Sequence, residues 1–195
     1  GREAKDFDVA TSALPDEVEA LFPHSIAVGK SFGVIVVLQG DAQIEVATFR
    51  TDGGYSDGRR PDSVEFRSPR EDAMRRDFTI NGLFMDPVTA QVHDFVGGLD
   101  ALRAGVIEAI GDPAARFRDD HLRMLRAVRF AGTLGFEIEP KTAAAIRTMA
   151  PLVSKVSGER IGQELVRTLA ESRRAGDALR LLSELGLLAV VLPEV

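Results

Sequence analysis

The feature that most constrains this fold is a change of hydrophobic period at Asp112-Pro113. Before it, apolar residues come in short runs, Phe7–Ala10, Val34–Leu38, Ile44–Phe49, Ala90–Phe95 and Val106–Ile110, punctuated by glycine and proline as strands are. After it they recur at helical spacing, with Gly135, Pro140, Pro151 and Gly186 as natural stops and starts. The class expected is α+β: a partial mixed β-sheet head over 1–112, an all-helical neck over 113–171, and the start of a helical body over 172–195.

Within the head, Val34–Leu38 and Ile44–Phe49 flank Gln39-Gly40-Asp41-Ala42 and read as a hairpin. Helices are expected from Pro15 to Phe22, over Arg70–Leu83 and over Leu99–Arg103. The stretch 51–63, rich in glycine and charge and carrying Arg59 and Arg60, reads as a loop, and a plain surface hairpin fits it as well. In the neck, one helix is expected from Pro113 to about Leu134, a second from Pro140 through Ala150, a third capped by Ser154 or Ser157, and a fourth over Asp177–Leu185. Leu14, Phe22, Phe32, Phe49, Phe66, Phe78 and Phe130 are expected in the core.

Composition narrows the chemistry. With no cysteine, disulfides, thiolate catalysis and cysteine zinc sites are excluded, and His24, His93 and His121 have no metal-ligand spacing. A metal would have to be held by oxygen. No apolar run is long enough for a membrane span and no leader is recognisable, so a cytoplasmic location is expected. The net charge of −6 argues weakly against a generic nucleic-acid coat, yet arginines cluster at 59–76 and at 116–129, and phosphate binding depends on clustered cations rather than on the total.

Asp6-Phe7-Asp8 sets two carboxylates at i and i+2, on one face of a strand and about 6–7 Å apart. Such a pair suits Mg²⁺, although charged residues also alternate on exposed strand edges. Glu45, between apolar neighbours that face the other way, is a third candidate carboxylate.

Several segments together resemble the class II nucleotidyltransferases, the family of CCA-adding enzymes and bacterial poly(A) polymerases. Lys5–Ser12 is similar to the D-x-D metal motif, Arg75–Asn81 to an R-R-D-F-T-x-N block, and Asp94–Leu102 to a D-x-x-G-G hinge segment. Arg118–Arg123 resembles an E-D-x-x-R nucleobase-reading helix, with Asp119 in place of the glutamate, and Glu159–Glu164 matches E-R-x-x-x-E. The resemblance implies that Asp6 and Asp8 hold Mg²⁺, with Glu45 orienting the attacking hydroxyl. It also implies that Arg76, Asp77 and Asn81 meet the nucleotide sugar, the alternative being that Arg76 and Asp77 brace a helix. Asp120 and Arg123, at i and i+3, would share a helix face and read the amine and ring edge of cytosine or adenine. Arg126 and Arg129 continue the same segment as nucleotide-binding candidates. Glu159, Arg160 and Glu164 would brace the neck.

The implied activity is template-independent addition of C and A to the 3′ end of RNA, most directly tRNA, from CTP and ATP with release of pyrophosphate. Poly(A) addition, a partial CC- or A-adding activity, and an inactive RNA- or nucleotide-binding fragment are the alternatives. The resemblance also calls for a G-G-x-x-R-D segment upstream of D-x-D, and only five residues precede Asp6, so a piece of a longer chain is expected.

Overall fold

The structure, a computed structural model, describes residues 8–53 and 63–194. These form two compact units, 8–53 with 63–75, and 76–194. The expected α+β class holds, with a mixed sheet in the first unit and mostly helix in the second.

The first unit contains β1 (Asp8–Thr11), α1 (Pro15–Leu21), β2 (Ser25–Gly29), β3 (Val34–Gln39), β4 (Ala42–Thr48), β5 (Arg50–Asp52), β6 (Val64–Phe66) and α2 (Pro69–Arg75). Four of the strands make one sheet in the order β1-β4-β3-β2, with β1 parallel to β4 and the other pairs antiparallel. The expected hairpin is β3–β4, turning at Gly40 with φ +61°. Strand alternation sends Ile35, Val37 and Val46 to one face, where Val18 of α1 meets them. Ile35 is fully enclosed, a burial worth about 2 kcal/mol. Pro15 fits the first turn of α1, where no amide hydrogen is needed, and Glu17 accepts from the Leu14 amide at 2.7 Å. A buried carboxylate, Asp72, accepts from the Arg50 amide and from Arg75, tying α2 to the β5–β6 hairpin.

The second unit runs β7 (Leu83–Met85), β8 (Val92–Asp94), α3 (Gly98–Ala104), β9 (Val106–Ile107), α4 (Pro113–Asp119), α5 (Arg123–Leu134), β10 (Glu137–Ile138), α6 (Pro140–Met149), α7 (Gly158–Glu171), α8 (Ala175–Glu184) and α9 (Leu188–Val191). Its core joins Phe78, Phe117, Met124, Leu125, Val128, Ile146, Val153, Leu182 and Leu187. Central in it is α5, packed on α7 and α8 and buried on nearly every face. Among the described residues no helix is long and apolar enough to cross a membrane.

Two expected helices are broken, the first by tertiary packing and the second by a carboxylate that bonds its own backbone. The Arg70–Leu83 helix stops at Arg75, and Phe78 is extended, bridging Ala109 while the Thr79 amide donates to the Glu108 carbonyl. Phe78 is fully buried and Asp77 nearly so, and these tertiary gains outweigh helix propensity. A short 3₁₀ turn over Thr79–Asn81 then leads into β7. The Pro113–Leu134 helix divides into α4 and α5 because Asp120 is extended and its Oδ1 accepts from the Leu122 amide at 3.0 Å. The apolar expectation also needs correction: Phe78 is core and Phe130 packs edge-on against it, but Leu14, Phe22 and Phe66 are 43%, 38% and 42% exposed.

Candidate functional site

In the first unit, Asp8 on β1 and Glu45 on β4 are direct register partners. Parallel strands lie about 4.8 Å apart and paired residues point to the same side, so the two carboxylates stand together on the face opposite α1. Both residues are exposed. Asp6, Arg59 and Arg60 lie outside the described residues. Among the described residues no group of three histidine, cysteine, aspartate or glutamate side chains is arranged to hold a metal ion.

In the second unit, Asp77 is the centre of a bonded cluster. Its Oδ1 accepts from the Phe78 amide at 2.9 Å and from Asn81 Nδ2 at 2.8 Å, and its Oδ2 accepts from Arg126 Nε at 2.7 Å. Burial pushes the Asp77 carboxyl up, but the Arg126 charge and the three hydrogen bonds outweigh it and hold the group below the usual range. Arg76 donates to the Asn81 carbonyl at 2.9 Å, its guanidinium 4.9 Å from the Phe84 ring centre. Arg126 and Arg129 both lie over the Phe130 ring, at 5.2 Å and 4.2 Å.

Asp120 and Arg123 do not share a helix face, since Asp120 sits in the α4–α5 break and only Arg123 is helical. Asp120 Oδ2 pairs with Arg160 Nη2 of α7 at 2.6 Å. Arg123 is turned back toward α4, where it donates to the Arg116 carbonyl at 3.2 Å and pairs with Asp119 at 3.5 Å. Six residues along α5, Arg129 is 4% exposed and bonded to Glu164 at 2.6 Å and to Glu171 at 3.3 Å. Of the residues expected to brace the neck, Arg160 reaches across to Asp120 and Glu164 to Arg129, while Glu159 accepts from Gln163 on its own helix.

Two family models match this chain, the poly A polymerase head domain over residues 1–108 and the "probable RNA and SrmB-binding site of polymerase A" over residues 135–195. The chain belongs to the poly A polymerase head domain family. Similar to it is a CCA-adding enzyme of Geobacillus thermodenitrificans, 49% identical over 188 residues, which are 96% of this chain and 46% of that enzyme. A crystal structure of the Bacillus stearothermophilus CCA-adding enzyme in complex with CTP is 44% identical, with a TM-score of 0.87 over 95% of this chain and 45% of that one. The Thermotoga maritima CCA-adding enzyme complexed with tRNA is 26% identical, with a TM-score of 0.77 over 98% and 45%. The chain thus spans about half the length of the curated relatives it matches.

In this poly A polymerase head chain, sequence reading missed what Asp94 does. Its Oδ1 accepts from the amides of Val96, Gly97 and Gly98 at 2.9–3.0 Å and its Oδ2 from Leu99 at 2.9 Å, capturing the amides that open α3. An aspartate before Gly-Gly and an apolar run was the available signal. Gly98 is required here, because a Cβ would sit 2.3 Å from the Thr79 carbonyl oxygen. Burial raises the Asp94 carboxyl, but the four amide bonds bring it below its ordinary value. A depressed folded pKa contributes stability that is present above the unfolded value of about 3.9 and is lost as pH falls through the folded one. Asp94→Ala is therefore expected to cost about 1–2 kcal/mol at neutral pH, as a lost cap does. In urea titrations the gap to the unsubstituted protein should close below about pH 4; a gap independent of pH contradicts the cap assignment.

Proposed function

We propose that the protein carrying this chain is a template-independent RNA nucleotidyltransferase that adds C and A to the 3′ end of tRNA in the cytoplasm, using CTP and ATP and releasing pyrophosphate. The observation that carries this is the likeness, across 95% of the chain, to a CCA-adding enzyme in complex with CTP. The head (1–112) performs transfer, the neck (113–171) selects the nucleotide, and 172–195 begin the helical body.

Asp8 and Glu45 offer only carboxylate oxygen on one exposed face, a donor set that fits Mg²⁺, and the proposed holders are Asp6 and Asp8. When bound, Mg²⁺ supplies charge neutralisation at the phosphates and activation of the attacking hydroxyl. Glu45, beside Asp8, orients the RNA 3′-hydroxyl and accepts its proton. Asp77 and Asn81, already bonded to each other, present remaining acceptor and donor capacity to ribose hydroxyls, and Arg76 is steadied for the phosphate side by Phe84. Asp120 reads the exocyclic amine of C or A with the lone pairs that Leu122 and Arg160 leave open, and Arg126, held by Asp77 through Nε alone, donates to the ring edge, while Arg123, turned toward α4, supports that helix. Arg129, enclosed by two glutamates, serves this proposal as a brace for α5.

The test is incorporation of labelled CTP and ATP, offered separately and together, into tRNA lacking all or part of its CCA end. Two C additions followed by one A are expected. Unlimited A addition favours the poly(A) reading that the family description allows, and no incorporation by the full-length protein favours the inactive reading. Asp120→Ala is expected to reduce the preference for C and A over U by about 10- to 100-fold, the value of one hydrogen bond to a charged group. Unchanged selectivity in competition assays removes Asp120 from the reading.

A further inference from the structure

The sheet face that carries the carboxylates of the first unit does not end at them. Register places Asp8, Glu45, Val36 and Ile26 in one row across β1, β4, β3 and β2, on the face away from α1. Alternation along β3 puts Leu38 on the same face, diagonal to Glu45 and beside Gln43. Val36 is half-buried, while Leu38 and Ile26 are 36% and 47% exposed. The row therefore runs from acid to aliphatic. One strand spacing, about 5 Å, separates Glu45 from Val36 and two, about 10 Å, separate it from Ile26, with Leu38 about 7–8 Å away.

The core of the unit does not use these side chains, since Val18, Ile35, Val37 and Val46 pack together on the other face. An antiparallel sheet with one face open to water ordinarily carries polar residues there. Here the open face has polar Asp8, Gln43 and Glu45 at one side and a shelf of three large aliphatic residues at the other.

We propose that this shelf seats the terminal nucleoside of the acceptor RNA, its base lying on Val36, Leu38 and Ile26 and its 3′-hydroxyl directed to Glu45. The inference rests on the reading that the protein transfers nucleotides to RNA, and extends it to three residues that no motif marked. Continuity with the carboxylate pair selects the occupant. A hydroxyl held at Glu45 has Asp8 on one side and aliphatic surface on the other. Phosphates belong on the Asp8 side, where a cation neutralises them, so the acceptor's base falls on the aliphatic side. The contacts proposed for the incoming nucleotide, Asp77, Asn81, Asp120 and Arg126, are all in the second unit, which leaves this face to the acceptor. Aliphatic side chains carry no hydrogen-bonding groups and press alike on the flat face of any base. That suits an acceptor whose terminal base changes with successive additions.

The test uses the full-length protein and tRNA lacking its CCA end, with and without a base on the terminal nucleotide. Ile26→Thr/Leu38→Thr keeps β-branched or strand-compatible residues at exposed positions, so the fold should be little disturbed. The KM for tRNA is expected to rise about tenfold, the scale of a partly buried apolar contact, with the KM for CTP unchanged. Leu38→Phe should lower the KM for tRNA, a gain that misfolding cannot imitate. Removing the terminal base should weaken use of the acceptor by the unsubstituted protein about as much as the double substitution does, and should weaken the double variant hardly further. An unchanged KM for tRNA, an equal rise in the KM for CTP, or additive losses from the two changes each overturn the proposal. So does a double variant that is monomeric where the unsubstituted protein is dimeric, which would assign the face to a second copy. If the unsubstituted protein transfers nothing, fluorescence anisotropy with the same two RNAs separates the readings. Binding that depends on the terminal base and on Leu38 upholds the shelf and defeats the enzymatic reading, and binding indifferent to the base defeats both.

Discussion

Replacing Asp8 with alanine is expected to lower the rate of nucleotide transfer by about a thousandfold or more, the scale on which a preorganised electrostatic stabiliser contributes to catalysis. The fold gives this substitution little else to disturb. Asp8 is exposed at the start of β1, on the sheet face opposite the Val18–Ile35–Val37–Val46 core, so the melting temperature should move by no more than a surface change would move it. The effect should fall on kcat, because a carboxylate that acts on developing charge is felt in the transition state more than in nucleotide binding. Glu45, its register partner, does not replace it: the strand spacing that brings the two side by side also keeps them as separate donors. Single-turnover kinetics with saturating CTP and Mg²⁺ check this. Near-normal transfer by Asp8→Ala would remove the β1–β4 carboxylate pair from the catalytic assignment.

The second large effect is on stability. Glu164→Leu is expected to destabilise the helical unit by about 3–5 kcal/mol, because it leaves the Arg129 guanidinium charged, enclosed and without its shortest partner. Glu171, at 3.3 Å and more open to solvent, recovers only part of that interaction and is shared with Arg167. Adding Arg129→Met should return most of the loss, since two apolar side chains of similar volume carry no desolvation penalty between α5 and α7. Urea unfolding of the two single variants and the double variant measures the coupling directly. Additive losses would mean that the pair is not the unit that joins these helices.

The same pair illustrates where sequence reading stops. Glu164 lies in an E-R-x-x-x-E match and Arg129 in the arginine run after Asp120, so both were singled out, Glu164 as a brace of the neck and Arg129 as a nucleotide-binding candidate, but nothing in either segment pointed to the other. Their true partners are 35 and 42 residues away for Arg129, and 40 for Asp120 with Arg160. Periodicity carries no information about such distances. For Asp120 and Arg123 the i,i+3 argument failed for a local reason as well. Asp120 spends one oxygen on the Leu122 amide, which ends α4 and starts α5 in a new direction. A carboxylate able to bond its own backbone competes with helix continuation, and only the packing of Phe117 and Leu122 decides that contest.

Other parts were legible. The β3–β4 hairpin follows from two apolar runs around Gly40, and the face of Glu45 follows from alternation with Ile44 and Val46. What alternation could not give was the parallel pairing of β1 with β4, which sets Asp8 beside Glu45. The strands β7, β9 and β10 are two or three residues long, too short to show a period. Phe22 and Phe66 were read as core with a set of large side chains most of which sit in apolar periodic segments, yet apolar atoms cover much of any folded surface.

The sequence by itself determined the class of fold, the change from strand to helix at Pro113, and the kinship that Asp6-x-Asp8, Arg75–Asn81 and Glu159–Glu164 signal, because these are properties of residue type and near spacing. Tertiary structure alone decided which charges face each other: Asp77 with Arg126, Asp120 with Arg160, and Arg129 with Glu164. The physical reason is that an arginine's role depends on what burial places within reach of its guanidinium, and burial is settled by contacts between helices far apart in the chain.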